Sequence, residues 1–178
     1  MRVKHVAFWL LGVLFALIHP AHGHECARSS GDKDPIATNR AFDLYASLVG
    51  GEWRIDNRGE DGQLLRARSV FKCGPGKRFV IAQTFVIGDD GKETWDFESV
   101  FAPIDSHVVK YGFASDGSVQ TVQIIYSKGT AEGAWVSKGS KMRQTVKLID
   151  HDKIAWEIAA QAHDGQWRRI LGGVWHRE

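Results

Sequence analysis

The segment Phe79-Val80-Ile81-Ala82-Gln83-Thr84-Phe85-Val86-Ile87-Gly88-Asp89-Asp90-Gly91-Lys92-Glu93-Thr94-Trp95-Asp96-Phe97-Glu98-Ser99-Val100-Phe101 decides the fold class. Its two arms are rich in β-branched and aromatic residues. Between them Asp89-Asp90-Gly91 supplies residues that tolerate the positive φ of a hairpin turn. Successive side chains of a strand point to opposite faces. Phe79, Ile81, Gln83, Phe85 and Ile87 therefore share one face of the first arm, and Trp95, Phe97, Ser99 and Phe101 share one face of the second. The opposite faces carry Thr84 on one arm and Asp96 and Glu98 on the other, and are expected to be solvated.

The same grammar extends in both directions. Period-2 runs near 52–57, 63–73, 77–87, 92–102, 107–115, 118–127, 130–138, 141–150, 153–162 and 166–177 predict strands. The punctuation between them is Gly59-Glu60-Asp61-Gly62, Gly74-Pro75-Gly76, Asp89-Asp90-Gly91, Asp116-Gly117, Gly139-Ser140 and Asp164-Gly165. Successive hairpins predict an up-and-down antiparallel meander. About ten strands without paired edges tend to close into a barrel, so the fold class is all-β. One short helix is expected ahead of it: Thr38 or Asn39 can cap it, Ala41, Phe42, Tyr45, Leu48 and Val49 recur at helical spacing, and Gly50-Gly51 ends it. The barrel domain is thus assigned to residues 38–178. Gly172-Gly173 inside the last strand predicts a bulge or a close backbone approach.

Residues 1–23 read as a secretory signal. Arg2 and Lys4 precede an apolar run from Val6 to Ile18, and Pro20 and Ala21-His22-Gly23 follow. The run falls short of the about 20 residues of a membrane-spanning helix, so no stable membrane insertion is expected after cleavage behind Gly23. Residues 24–37 form a polar tail. The chain has 23 Lys+Arg against 21 Asp+Glu. The signal holds Arg2 and Lys4 and no acid, so the remainder is balanced, and charge gives no support for nucleic acid as a partner. The two cysteines, Cys26 and Cys73, predict one disulfide in an oxidising compartment. A periplasmic or secreted location follows.

Leu48-Val49-Gly50-Gly51-Glu52-Trp53, placed after a short helix and before a Gly-rich hairpin, resembles the Gly-x-Trp opening of a calycin or lipocalin-like barrel. Lys153-Ile154-Ala155-Trp156-Glu157-Ile158, the turn His163-Asp164-Gly165, and Trp167-Arg168-Arg169 running to Val174-Trp175-His176-Arg177 resemble the last hairpin of a bacterial exported family of unknown function with that fold. Ile104-Asp105-Ser106-His107-Val108-Val109-Lys110-Tyr111, followed by Ser115-Asp116-Gly117, is similar to the middle of the same family. The likeness covers nearly all of 38–178. It implies that Trp53 closes one end of the barrel, with Arg177 or Arg169 as its cation partner. A haem-binding branch with a similar barrel carries Gly-x-Trp-x-Gly-x-Gly. Here the stretch is Gly51-Glu52-Trp53-Arg54-Ile55-Asp56-Asn57-Arg58-Gly59, without the later glycines.

No catalytic motif is present: there is no Gly-x-Ser-x-Gly elbow, and no catalytic or metal-ligating set and no resident cofactor is assigned. His107 shares a strand face with Val109, Tyr111 and Phe113, and His176 lies near the chain end. Either could serve as an axial haem ligand if it points inward. Gln83, Ser99 and Gln144 fall on apolar faces, where a polar group needs a partner. The expected function is an exported barrel that holds a small apolar or amphipathic molecule, its interior lined by Phe79, Ile81, Gln83, Phe85, Trp95, Phe97 and Ser99. The alternatives are an enzyme acting in the same cavity and a filled structural or protein-binding barrel. A cavity separates the last from the other two. The side-chain directions of His107, His176 and Gln83 separate ligand holding from catalysis.

Overall fold

The computed structural model describes Cys26, residues 39–58 and residues 64–178. The signal segment 1–23, the rest of the tail 24–37, Thr38 and the first hairpin turn lie outside the described residues. Helix α1 (Arg40–Ser47) starts at Asn39, whose side-chain oxygen accepts from the Phe42 backbone N–H at 3.0 Å. The same side chain does a second job. Its amide donates to the carbonyls of Asp105 (3.2 Å) and His107 (2.6 Å), so the helix cap is also a tie to the barrel. Ala41, Phe42, Leu44 and Tyr45 are buried, and the Tyr45 ring stacks on Phe101 at a centroid distance of 4.0 Å.

Ten strands follow: β1 (Glu52–Arg58), β2 (Leu64–Cys73), β3 (Val80–Ile87), β4 (Glu93–Ile104), β5 (His107–Ala114), β6 (Val119–Ser127), β7 (Thr130–Ser137), β8 (Ser140–Asp150), β9 (Lys153–Gln161) and β10 (Trp167–Arg177). Each pairs antiparallel with the next, and β1 pairs with β10, so the sheet closes into a barrel without free edges. The closing seam is short. It has the pairs Trp53↔Arg177 and Arg54↔His176, extended by Glu178 N–H to Glu52 O at 2.9 Å. Higher up, the Asn57 amide donates to Gly172 O at 2.8 Å, a side chain standing in for the ladder. Gly172 meets the expected close approach. A Cβ there would lie 2.5 Å from the Trp156 carbonyl oxygen, and the register slips between Arg169 and Leu171 beside it.

Strand direction alternates, so odd-numbered strands begin at the end that α1 covers and finish at the opposite end. At the covered end Trp53 is fully buried. Its indole N–H donates to Leu48 O at 2.9 Å, and the Arg177 guanidinium lies over its ring at 4.6 Å while donating to Ser47 O at 2.7 Å. Arg177 thus ties the last strand to the helix across the first strand's tryptophan. Arg169 instead donates to Gly172 O within its own strand. Cys26 is disulfide-bonded to Cys73 at the end of β2 and is buried against the core.

The boundary that differs most from the sequence reading is the start of β3. The strand expected from 77 begins at Val80, because Pro75–Lys77 forms a 3-10 turn. Proline at its start presets φ and lacks the N–H that a strand would use. Phe79 therefore precedes the strand, and its ring lies over Gly74, where an added Cβ would come within 1.9 Å of it.

Candidate functional site

The barrel encloses a cavity of about 230 Å³. Tyr45 and Leu48 of the helix segment line it from the covered end. Val86 and Asp96, both exposed to solvent, line it towards the other end, where the cavity meets water. The walls are largely apolar, with Phe71, Val146, Ile154, Ile158 and Leu171 among them, and with three tryptophans, Trp135, Trp156 and Trp175. Trp156 and Trp175 meet edge to face at 6.1 Å.

The inward face of β3 is Val80, Ala82, Thr84 and Val86, the reverse of the face expected from its aromatic content. Ile81, Gln83 and Phe85 do not line the cavity, and neither does Phe79. The reason is steric and electrostatic together. Towards the axis β3 sits beside Ala67 and Ser69 of β2 and shares the interior with the large rings of Phe71, Phe97 and Trp156, which leaves its own inward positions to small and medium side chains. Outside, long polar side chains cover its large ones. The Arg68 guanidinium lies 4.6 Å over the Phe85 ring, Gln83 donates to Glu98 at 2.7 Å, and Lys72 reaches Gln83 at 3.4 Å. Alternation identifies two faces, but charged stems can bury an aromatic on the outer one.

On β4, Phe97, Ser99 and Phe101 line the cavity as the alternation predicts, whereas Trp95 is 39% exposed and does not. Between the pairs Thr84↔Phe97 and Phe85↔Trp95 the register slips by one residue. Such a bulge inserts an unpaired residue and reverses the alternation beyond it. Asp96 is that residue, and it lines the cavity mouth instead of the solvated outer face assigned to it.

His107 and His176 also lie off the cavity. His107 shares its face with Tyr111 and Phe113, which are 39% and 40% exposed, so that face of β5 is the outer one. His176 is exposed. An interior haem therefore has no axial imidazole from either. Among the described residues, no three His, Cys, Asp or Glu side chains gather as a metal site.

The residue that the sequence reading missed is Lys110. It is 7% exposed, and its ammonium projects into the apolar interior. Its Nζ donates to Gln144 Oε1 at 3.0 Å and lies 4.9 Å from the centre of the Phe97 ring. Among the described residues, no carboxylate lies within ion-pair distance of it. Gly112, one step along the same face, leaves the space that the Phe97 ring occupies; a Cβ there would sit 2.5 Å from that ring. Gln120, opposite Gly112 on β6, has a buried carbonyl oxygen with no hydrogen-bond partner. Ser69 and Thr84 satisfy each other at 2.7 Å.

Burial disfavours the charged form of a lysine, and it pulls the Lys110 pKa down to about 8. An unfolded lysine titrates near 10.4, so below about pH 8 the folded protein bears the cost of holding this charge, and it gains stability as pH rises from about 8 towards 10.4. Lys110→Met should therefore raise the unfolding free energy at pH 7 by on the order of 1–3 kcal/mol, read as a higher denaturant midpoint, and should flatten the rise between pH 8 and 10. An unchanged midpoint and an unchanged pH profile would show that Lys110 is solvated.

The molecule belongs, by these features, to the closed ten-stranded antiparallel barrels with an interior cavity. No family model matches the chain, and a search of curated proteins found no match.

Proposed function

We propose that this protein is an exported barrel of the lipocalin-like kind that binds a small amphipathic molecule in its interior without transforming it. The cavity carries the proposal: it is lined mainly by hydrocarbon and aromatic side chains and holds a few polar groups at fixed positions. Such a composition suits a ligand that gains affinity by leaving water and is oriented by one or two hydrogen bonds. A filled barrel would leave no such space. His107, His176 and Gln83 lie off the cavity, so an enzymatic reading draws no support from them. Export is supported by the Cys26–Cys73 disulfide, which persists in an oxidising compartment. Among the described residues no helix is long and apolar enough to cross a membrane. The lipocalin-like kinship is supported by the ten-stranded meander and by Trp53 lying beneath Arg177 behind the helix.

The test is occlusion. Ala82 lines the cavity and is buried, so Ala82→Phe should fill it at a modest stability cost, about 1–3 kcal/mol. Wild-type protein should bind the neutral probe N-phenyl-1-naphthylamine with one site per chain. Binding should be read in the fluorescence of Trp135, Trp156 and Trp175, since Trp95 lies off the cavity. A folded Ala82→Phe protein should lose that site. Undiminished binding by the variant would place the probe elsewhere and defeat the proposal.

A further inference from the structure

We propose that the ligand is an acid held head-inward, its carboxylate paired with Lys110 near the helix-covered end and its hydrocarbon tail directed to the mouth; this inference rests on the binding reading above. A lone ammonium among apolar walls is unfavourable unless it is paired. The protein gives it one neutral acceptor, Gln144, and one ring face, Phe97, and no counter-charge among the described residues. A ligand carboxylate would supply that charge, in a medium where a charge-assisted hydrogen bond is stronger than in water.

The position sets the orientation. Lys110 is paired with Phe101 on β4 and Val122 on β6, close to the helix-covered end, whereas the exposed Val86 and Asp96 mark the exit. A head at Lys110 therefore leaves the length of the cavity between the ammonium and the mouth for the tail. Gln120 adds a second polar contact. It lies on β6 two residues before Val122, and its amide, whose oxygen is without a partner, can turn to present its N–H to the same carboxylate. Asp96 at the mouth repels an anionic head there, which favours head-inward entry over the reverse.

The groups facing Lys110 decide how binding depends on pH. From α1 comes the Tyr45 phenol, held protonated because burial raises its pKa. β4 contributes Asp96 at the mouth, and β6 and β8 contribute the amides Gln120 and Gln144. Lys110 is thus the group facing the cavity that changes charge between pH 7 and 10, losing its proton above about pH 8. Pairing with an anion raises a lysine pKa. Above pH 8 the acid must bind together with a proton, and its affinity should fall towards tenfold per pH unit.

The experiment compares decanoic acid with decan-1-ol, two probes of equal chain length, on delipidated full-length protein, by native mass spectrometry and tryptophan fluorescence. The acid should bind at least tenfold tighter than the alcohol at pH 7. The preference should decay between pH 8 and 10, and Lys110→Met should bind the two alike. If the alcohol binds as tightly as the acid at pH 7, the barrel holds ligands but the acid assignment is wrong. A preference that survives in Lys110→Met, or one that does not change up to pH 10, likewise overturns it. If neither probe binds, the interior-binding reading fails with it.

Discussion

Trp53→Ala is expected to lower the stability of the barrel by about 3–5 kcal/mol, the range for truncating a large buried aromatic. Trp53 is the largest fully buried side chain among the described residues. Its loss leaves a void under α1, an unpaired Leu48 carbonyl, and an Arg177 guanidinium without the ring that it covers. Arg177 holds one of the two strand pairs that close β1 on β10. The substitution should therefore loosen the seam as well as the core. Urea titration followed by the fluorescence of the remaining tryptophans checks this. A midpoint within experimental error of wild type would mean that the helix end is not sealed by Trp53.

Reduction of the Cys26–Cys73 disulfide should cost a similar amount. The bond closes a loop with a sequence separation of 47. Loop-closure entropy for that length corresponds to about 4 kcal/mol at 25 °C, at the top of the usual 2–4 kcal/mol range. A second contribution comes from packing, because Cys26 is buried in the core cluster and brings one point of the N-terminal segment onto the barrel. The paired Cys26→Ala, Cys73→Ala variant should unfold at a clearly lower denaturant concentration than wild type. Adding reductant should lower the wild-type midpoint and leave the variant's unchanged. A wild-type midpoint indifferent to reductant would show that the cross-link does not constrain the unfolded chain.

Lys110 shows why a binding residue can hide in plain sequence. In His107-Val108-Val109-Lys110-Tyr111-Gly112-Phe113 the odd positions look like the core and the even ones, with a lysine and a glycine, look like the surface. The structure has the opposite arrangement. One signal could have found it. The turn at Asp105-Ser106 pairs Ile104 with His107, and that register puts Lys110 opposite Phe101. Cross-strand partners share a face, so an inward Phe101 carries Lys110 inward with it. Gln144 was legible because it sits beside Val146 on a face whose other residues are apolar. Gln120 was not, since Gln120, Val122 and Ile124 alternate with Thr121, Gln123 and Ile125, another mixed set.

Ten strands, their order, the short helix behind Asn39 and the pairing of two cysteines were all determined by the sequence, because turns, periodicity and a lone cysteine pair are local or combinatorial signals. Which face of β3 and of β5 turns inward was settled only by the tertiary structure. Alternation divides a strand into two faces without labelling them, and a register slip at Asp96 exchanges the labels partway along β4. On β3 the inward position is held by the small Ala82, while the larger Phe85 is covered from outside by Arg68. On β3 and β5 hydrophobicity alone therefore ranks the wrong face first. The cavity and its buried ammonium exist only once ten such choices are made together, because each wall is completed by strands distant in the chain.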